Sequence, residues 1–257
     1  MTQGFQRSDL IIVACRPSMG KTSFSLGVTR YAAVHTKKPV VFFSLEMSKE
    51  QIITRLLSAE AKVDQSRLRS GKLTETDWSR LTRAAGFLSD APVYVDDTPA
   101  LTVLEMRGKS RRLKAELGEL GLIVVDYLQI MGTPQRFENR EKAISDISRS
   151  LKALAKELNV PVMALSQLNR NIDLRQDKRP MLADLRESGA IEQDADLILF
   201  IHREEVENLQ PNAASIAELI IGKHRNGPRC GVKTAWLGQF ACFENLKNGF
   251  CLAVISK

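Results

Sequence analysis

Leu10-Ile-Ile-Val-Ala-Cys-Arg-Pro-Ser-Met-Gly-Lys-Thr22 joins an apolar run to a turn and then to a helix start. The apolar run at 10–14 is typical of a buried strand, and Gly20, Lys21 and Thr22 would open the helix. Free backbone N–H groups at a helix N-terminus bind polyphosphate. A lysine at this position reaches the β- and γ-phosphates, and the threonine hydroxyl binds Mg²⁺. The stretch therefore predicts a nucleoside triphosphate site in a strand–loop–helix unit.

The loop departs from the general phosphate-binding pattern at one position, because Cys15 stands where G-x-x-x-x-G-K-[ST] has glycine. The side chain stays small, but the conformational freedom of glycine is lost. A chance Gly-Lys-Thr before an ordinary helix is the alternative. The apolar strand before the loop and Phe24, Leu26 and Val28 after it argue against that alternative. The predicted nucleotide-binding residues of the loop are Arg16, Pro17, Ser18, Met19, Gly20, Lys21, Thr22 and Ser23.

Length and composition indicate one α/β domain and argue against several classes of protein. The 257 residues, 44% apolar and 26% charged, fit a single large domain with an ample core. No apolar run approaches the length of about 18 residues that predicts a membrane span, and no secretion leader is visible. Four scattered cysteines and three histidines argue against a zinc site and favour the cytoplasm. The net charge of +7 permits nucleic-acid binding without requiring it.

Short apolar runs alternate with longer helical patterns, which is typical of a mostly parallel sheet flanked by helices. We predict strands at 10–14, 40–44, 93–95, 122–125, 160–166, 197–201 and 218–222, and an antiparallel C-terminal edge from 231–237 and 250–255. We predict helices at 49–61, 77–88, 101–117 and 141–158. The last helix carries an apolar stripe, and its basic residues Arg149, Lys152 and Lys156 are expected on a solvated face.

Three polar segments, at 133–140, 169–186 and 224–229, interrupt this pattern. Each follows the carboxyl end of a predicted strand and carries at least two basic residues. Open α/β sheets bind their ligands at the edge where parallel strands end. The sequence therefore predicts that all three segments lie near the ligand.

Two carboxylates also follow predicted strands. Glu46 comes just after the second strand, where a carboxylate can orient and deprotonate the water that attacks a γ-phosphate. A surface glutamate or a first-turn helix residue is the alternative for Glu46. Asp126 ends the run Leu-Ile-Val-Val-Asp and would support Mg²⁺ together with Thr22. Asp96 and Asp97 end another strand in the same way, but the Thr-Pro after them is more typical of a turn.

Two further polar residues are candidates for sensing or stabilising the nucleotide. Gln167 follows the strand at 160–166, where an amide can sense the γ-phosphate and signal to the next loop; a capping or surface amide is the alternative. Arg225 lies in a Gly-Pro loop far along the chain from the phosphate loop. An arginine supplied by a neighbouring subunit can raise the rate by roughly 10³–10⁵. A plain basic hairpin turn is the alternative for Arg225.

Six motifs occur in one order from about residue 4 to residue 246. They are Ala-Cys-Arg-Pro-Ser-Met-Gly-Lys-Thr, Ser-Leu-Glu-Met, Val-Asp-Tyr-Leu-Gln, Ser-Gln-Leu-Asn-Arg, Asp-Leu-Arg-Glu-Ser-Gly-Ala-Ile-Glu-Gln-Asp-Ala-Asp and Lys-His-Arg-Asn-Gly-Pro. Together they resemble the C-terminal motor domain of the DnaB family of bacterial replicative DNA helicases. The resemblance implies a RecA-like P-loop core in a ring of six, with ATP and Mg²⁺ as cofactors. Single-stranded DNA would be the bound polymer.

The resemblance implies a role for each matching residue of the ATP site. Lys21 and Thr22 would bind the phosphates and Mg²⁺, and Glu46 would be the catalytic base. Asp126 would be the aspartate of the second nucleotide motif, and Gln167 would couple the γ-phosphate to the DNA loops. Arg186, Glu187 and Gly189 belong to a segment that resembles the DNA-binding loop of the family.

The resemblance also implies that Arg225 is an arginine finger and Lys223 its companion, both acting on the ATP of the neighbouring subunit. For Arg186, an ion pair with Glu187 at a helix start is the alternative reading. Backbone grips by arginine and by loop N–H groups would make DNA binding salt-dependent and largely independent of sequence. Because Phe137 is the one clear aromatic of these loops, we expect electrostatic contacts rather than base stacking.

We expect residues 1–257 to form a single RecA-like motor domain. The N-terminal helical domain and linker helix of the family have no counterpart here, and Met1 lies close to the first strand. We therefore expect the chain to begin inside a larger protein. A primase and a helicase loader are the expected partners of the full-length protein.

Two other classes of protein share the phosphate loop. A RecA-like regulatory or scaffolding ring, as in the KaiC clock proteins, would bind ATP without needing DNA; the Arg-Glu-Ser-Gly run within 184–196 argues against it. A small-molecule kinase would need an acceptor site and an arginine-rich lid, which no segment clearly supplies. We therefore expect an ATP-dependent helicase motor that moves 5′ to 3′ and unwinds duplex DNA.

Overall fold

The computed structural model describes residues 2–132, 140–185, 189–203, 215–246 and 251–253, and a single mixed sheet runs through them. Its strands are β1 (Leu10–Cys15), β2 (Val40–Ser44), β3 (Val93–Asp96), β4 (Leu122–Asp126), β5 (Val162–Gln167), β6 (Leu197–Arg203), β7 (Ser215–His224), β8 (Cys230–Leu237), β9 (Cys242–Asn245) and β10 (Cys251–Ala253). The spatial order is β10-β8-β7-β6-β1-β5-β4-β2-β3, and β9 also pairs with β8.

The helices lie between these strands. They are α1 (Lys21–Arg30), α2 (Lys49–Ala61), α3 (Gln65–Ser70), α4 (Glu75–Ser89), α5 (Val103–Leu117), α6 (Arg140–Leu158) and α7 (Gly189–Asp194). A π-helical turn, Tyr31–His35, continues α1. Short 3₁₀ turns are Leu128–Ile130, Arg170–Leu174, Leu182–Leu185 and Gly238–Phe240.

The pairing of neighbouring strands changes once across the sheet, from parallel to antiparallel. The strands from β6 through β1, β5, β4 and β2 to β3 are parallel to one another. From β7 onward the pairing is antiparallel, so β7 runs opposite to β6 and places His224 beside Leu197. The predicted α/β fold, a mostly parallel sheet with an antiparallel C-terminal edge, is confirmed.

The sheet is buried on both faces, which is why its central strands are continuously apolar. Alternate residues of β1 enter opposite layers: Ile12 packs in the cluster that contains the α6 stripe, and Val13 packs against α1 and α2. The predicted stripe on α6 is buried, with Leu151 fully inaccessible. Because one sheet separates two cores, the loops at its edges carry the polar residues.

One expectation for α6 was wrong. Arg149 and Lys156 are exposed as expected, but Lys152 is largely buried. Its ammonium donates to the backbone oxygen of Ser8 at 2.8 Å and pairs with the carboxylate of Asp196. A lysine stem packs on apolar surface while its charge finds a partner at the rim, which periodicity alone does not reveal.

Side-chain caps fix where three helices begin. Ser48, Thr74 and Thr102 each accept a hydrogen bond from the third residue of the following helix, whose side chain bonds back to the cap. The predicted helix at 49–61 therefore has the bounds of α2. The helix predicted at 77–88 begins two residues later and ends one residue earlier than α4, and the helix predicted at 101–117 begins two residues earlier than α5 and ends with it.

Other differences concern short or polar elements. Strand β9 was not predicted, since its four residues are mostly half-buried or exposed. Helix α3 was missed because it has six residues and buries none of them. Strand β7 begins at Ser215, three residues before the predicted strand. Of the predicted edge strand at 250–255, residues 251–253 form β10 and the others lie outside the described residues.

Candidate functional site

The phosphate loop connects β1 to α1 at the edge where the parallel strands end. Gly20 is the N-cap of α1 and has a φ of 101°, in the left-handed region that favours glycine. A Cβ at Gly20 would lie 2.9 Å from Cζ of Phe243 and 3.1 Å from Cζ3 of Trp236. Both backbone angle and close packing therefore require glycine at the residue that opens the helix.

The loop lines a cleft of about 620 Å³. Of the predicted loop residues, all except Met19 line this cleft; Met19 packs instead on the apolar layer beside α1. Glu46 and Gln167 line the same cleft, although they come from loops far apart in the sequence. The fold thus brings together residues that were predicted separately from three strand ends.

Asp126 lies under the start of α1 and is fully buried. The Thr22 hydroxyl donates to Asp126 Oδ2 at 2.7 Å, and Lys21 Nζ lies 3.5 Å from Asp126 Oδ1. That Oδ1 atom accepts no hydrogen bond, an unusual state for a buried carboxylate oxygen. A buried, unsatisfied carboxylate oxygen beside a threonine hydroxyl fits the oxygen-rich environment that Mg²⁺ prefers.

Lys21 is held in place by more than Asp126. Its Nζ lies 3.8 Å from the centroid of the Tyr127 ring, within the range of a cation–π contact. The side chain is only 13% exposed, so its charge faces the cleft rather than bulk water. A partly desolvated ammonium at a helix N-terminus is suited to a polyphosphate.

Glu46 is exposed in the turn after β2. The turn is fixed at both ends, because Leu45 N donates to Asp126 O at 2.8 Å and the Ser44 hydroxyl donates to Met47 O at 2.6 Å. The carboxylate therefore projects from a constrained turn into the cleft. This arrangement suits a group that orients water, since the backbone beneath it is rigid.

Gln167 ends β5, opposite Cys15 in the parallel register. Its backbone is bound by Gln129, a residue that sequence reasoning did not single out: Gln129 Oε1 accepts from Gln167 N, and Gln129 Nε2 donates to Gln167 O, both at 3.3 Å. The exposed Gln167 side chain faces the cleft. Gln129 lies in the Val-Asp-Tyr-Leu-Gln run, so its motif was visible although its function was not.

Arg55 is a second residue that the sequence did not reveal. It lies on α2, lines the cleft, and carries a charge that interacts with the carboxylates of Asp126 and Glu46. Burial lowers the pKa of its guanidinium, and these two carboxylates oppose that shift. No motif marks Arg55, because one arginine in a polar helix has no distinguishing spacing.

Trp236 lines the cleft, and Arg203 contacts both Trp236 and the phosphate loop. The Arg203 guanidinium stacks over the Trp236 ring at 4.7 Å, and its Nη1 donates to Ser18 O at 3.2 Å. Trp236 lines the cleft together with the phosphate loop. A planar cation and an aromatic face are thus attached directly to that loop. No sequence signal connects β6 and β8 in this way, because the contact depends on the strand order.

The phosphate loop also contacts the polar segment that follows Gln167. Arg16 pairs with Asp173 at 2.6 Å and donates to Leu168 O at 3.2 Å. Asp184, at the end of that segment, is buried and pairs with Arg175 at 2.7 Å. The segment at 169–185 therefore lies near the ligand edge, as predicted. Of the predicted DNA-binding residues, Arg186 and Glu187 lie outside the described residues, and Gly189 begins α7. Residues 133–139 of the first polar segment, which include Phe137, also lie outside the described residues.

The segment at 224–229 lies elsewhere, and the expectation that all three polar segments share the ligand edge was wrong. Because β7 runs antiparallel to β6, its carboxyl end lies at the opposite edge of the sheet. Arg225 N donates to Asp196 O at 2.8 Å, and Asp196 Oδ2 accepts from Leu10 N, at the beginning of β1. At about 3.3 Å per residue, the six-residue strand β1 separates Arg225 from its own phosphate loop by roughly 17 Å.

Asp96 and Asp97, the competing carboxylates, have structural partners. Asp96 accepts from Thr98 N at 3.0 Å and pairs with Lys109 at 2.5 Å. Asp97 accepts from Lys49 N at 3.0 Å, at the start of α2. Both side chains therefore stabilise the turn after β3 and the neighbouring helices, in keeping with the turn interpretation.

Among the described helices, none is both long and apolar enough to cross a membrane.

Comparison with known proteins identifies the fold and the family. One relative is the replicative DNA helicase DnaB of Geobacillus stearothermophilus, which is 53% identical to this chain. Another is the replicative DNA helicase DnaC of Bacillus subtilis, which is 51% identical. Each match covers 97% of this chain and 55% of the relative. The chain thus spans about half the length of these curated relatives. A DnaB-like replicative helicase, solved in a study of its interactions with primase, superposes with a TM-score of 0.91 and 37% identity over 96% of this chain and 59% of that one.

The family comparison covers the same part of the chain as the six motifs. The DnaB-like helicase C-terminal domain matches residues 1–245. The RecA-like fold expected from those motifs is confirmed by the structural match. The chain therefore belongs to the DnaB-like helicase C-terminal domain family.

Proposed function

We propose that this chain is the ATP-driven motor domain of a replicative DNA helicase. It would hydrolyse ATP between subunits of a six-membered ring, move 5′ to 3′ on single-stranded DNA, and unwind the duplex. The observation that carries the proposal is that the polar and charged residues predicted to act on ATP lie at two opposite edges of one sheet. Lys21, Thr22 and Asp126 lie at one edge, and Lys223 and Arg225 lie at the other.

The phosphate half of the site acts within one subunit. Lys21 and the N–H groups at the start of α1 would hold the β- and γ-phosphates of ATP. Thr22 and Asp126 would hold Mg²⁺, which when bound neutralises charge on those phosphates. Their buried carboxylate–hydroxyl contact supports this assignment.

Glu46 and Gln167, which line the same cleft, would act on the γ-phosphate. Glu46 would orient the attacking water and accept its proton. Gln167 would hydrogen-bond to the γ-phosphate and report its loss to the segment at 169–185. That segment is bonded to the phosphate loop through Arg16 and Asp173.

The wall of the cleft would hold the base. Trp236 offers an aromatic face, and Arg203 is a planar cation that stacks on it. Stacking on such faces recognises a purine mainly by shape and area. We therefore expect a modest preference for purine nucleotides.

The second half of the site would come from the neighbouring subunit. Arg225 is 52% exposed on the side chain and lies too far from its own loop to contact a bound γ-phosphate. A head-to-tail contact repeated around a closed ring would bring Lys223 and Arg225 of one subunit against the cleft of the next. There the guanidinium would stabilise charge that develops in the transition state.

DNA would be gripped by the segment that contains Arg186, Glu187 and Gly189. Salt-dependent binding with little sequence preference is expected, because the contacts would go to phosphates. A primase and a helicase loader would bind the full-length protein in the cytoplasm. These assignments of DNA and protein partners go further than family membership, and the motifs of this chain support them.

The test compares ATP hydrolysis with and without single-stranded DNA, and strand separation on a forked duplex. We expect DNA to stimulate hydrolysis, and Lys21→Ala and Glu46→Ala to abolish most of it. Lys38→Ala is the control, because Lys38 forms an exposed ion pair with Glu119 away from the cleft. Hydrolysis that ignores DNA and never separates strands would instead support a regulatory ATP-binding ring.

A further inference from the structure

Asp196 is a buried carboxylate at the edge of the sheet opposite the phosphate loop, and the proposed chemistry gives it no role. It is 4% exposed and lies directly before β6. Asp196 Oδ1 lies 3.1 Å from Nη1 of Arg225. Its Oδ2 accepts from Leu10 N at 2.8 Å and pairs with the Lys152 ammonium. One carboxylate therefore ties Arg225 to the starts of β1 and β6 and to α6.

The backbone of Asp196 adds to this attachment. Its carbonyl oxygen accepts from Arg225 N at 2.8 Å, so Asp196 binds the backbone and the side chain of the same arginine. A guanidinium has five N–H donors in a rigid plane. The ion pair with Asp196 holds Nη1, while the Arg225 side chain stays 52% exposed and so accessible to a neighbouring molecule. This is the geometry required of a group that must reach a neighbouring molecule in a defined orientation.

Helix α7 holds the companion lysine. Lys223 Nζ donates to Glu192 O at 2.5 Å and to Gln193 O at 3.3 Å. Arg225 Nη2 also reaches Gln193 O, at 3.5 Å. The last carbonyls of a helix lack helical partners and attract cations. The C-terminus of α7 therefore contacts both members of the cationic pair.

The two cations lie close enough to affect each other. Burial lowers the pKa of Lys223, and the charge of Arg225 lowers it further. Two cations held side by side at the protein surface favour an anion that contacts both. The polyphosphate of an adjoining subunit is such an anion.

We propose that Asp196 and the last carbonyls of α7 position Lys223 and Arg225 for the ATP of the neighbouring subunit. Asp196 is a positioning residue, since it acts through Arg225 and touches no substrate. The inference rests on the proposed shared ATP site and adds the residues that orient its cationic pair.

The test uses the variant Asp196→Asn in rings assembled with single-stranded DNA. We expect kcat for ATP to fall roughly 10²-fold, because a misplacement of about 1 Å in a catalytic group has that effect. The KM for ATP should stay nearly unchanged, as the cleft of the variant is intact. Glu157→Gln is the matched control: Glu157 also holds two cations, Arg107 and Arg111, but does so away from α7.

A mixing experiment separates misplacement of the cationic pair from a general folding defect. Asp196→Asn subunits keep a working cleft, and Lys21→Ala subunits keep a working cationic pair. Mixed before ring assembly, the two inactive variants should together recover hydrolysis. Asp196→Asn mixed with Arg225→Ala should recover none, because both lack a functional pair.

Two controls complete the design. The double variant Asp196→Asn/Lys152→Met removes the ammonium that would otherwise be buried without its partner, so it should regain thermal stability without regaining kcat. Lys21→Ala mixed with Arg225→Ala tests the shared site itself. Failure of that mixture overturns the proposed function and this inference together. Its success, with normal kcat in Asp196→Asn or no rescue by Lys21→Ala, overturns the positioning role alone.

Discussion

Gly20→Ala tests whether the phosphate loop is as constrained as its geometry indicates. The φ of 101° lies in the left-handed region, which costs a residue with a Cβ roughly 1–2 kcal/mol. The new methyl would lie 2.9 Å from Phe243 Cζ and 3.1 Å from Trp236 Cζ3, an overpacking that costs about 1–3 kcal/mol. We therefore expect the free energy of unfolding to fall by about 2–5 kcal/mol, measured by urea denaturation.

The loop can escape part of this strain by leaving its phosphate-binding geometry. Nucleotide binding must then restore that geometry, so 2 kcal/mol of strain corresponds to an affinity that is about 30-fold weaker. Fluorescent ATP analogue titrations measure this loss directly. The loss of affinity therefore measures the free energy needed to return the loop to its strained geometry.

Gly27→Ala provides the matched control within the same helix. A Cβ at Gly27 would meet nothing within 4 Å, and alanine is favoured over glycine inside a helix by about 1 kcal/mol. Gly27→Ala should therefore stabilise the protein and leave nucleotide affinity unchanged. In a double-mutant cycle, Phe243→Ala should cost about 1–2 kcal/mol less in the Gly20→Ala background than in the unaltered protein, because it relieves the overpacking. Equal stability of the two single alanine variants would refute the reasoning.

Three further predictions concern the same cleft and its distant partner. Hydrolysis per subunit should fall steeply on dilution, because Arg225 cannot reach its own cleft; a constant specific activity down to the monomer would contradict this. Asp126→Asn replaces the buried carboxylate by a neutral amide, so Mg²⁺-dependent nucleotide binding should weaken in metal titrations; an unchanged Mg²⁺ dependence would exclude Asp126 as part of the Mg²⁺ site. Burial raises the pKa of Cys15 to about 12, so its thiol should stay protonated and resist iodoacetamide at pH 8 until the protein unfolds, as followed by mass spectrometry.

The sequence predicted those parts of the fold that depend on local pattern. Strands β1, β2, β4 and β5 are buried on both faces, so each appears as a short apolar run between polar loops. Helix α2 was predicted with its observed bounds, and Ser48 with Gln51 forms a capping box at its start. Where the local signal was weak, as in the four-residue strand β9, the prediction failed.

The same distinction separates the site residues that the sequence predicted from those that it did not. Residues that directly follow apolar strands, such as Glu46 and Asp126, were found because the ends of parallel strands meet at one edge. Arg55 and the pair Arg203–Trp236 were missed because their positions depend on which helix and strands lie beside the cleft. Such contacts are a property of strand order, which a single sequence does not specify.

The direction of β7 is the feature that most changes the functional interpretation. The sequence shows that Arg225 follows an apolar strand, and the general rule for parallel sheets would then place it near the phosphate loop. The antiparallel pairing of β7 with β6 places it at the other edge, bonded to Asp196 and roughly 17 Å from that loop. No rotation of one side chain spans that distance, so any contact between Arg225 and a γ-phosphate must involve a second copy of the chain. Under the proposed function, this reversal of strand direction would leave the isolated subunit with half of a catalytic site, and a closed head-to-tail assembly would be the simplest way to complete every site.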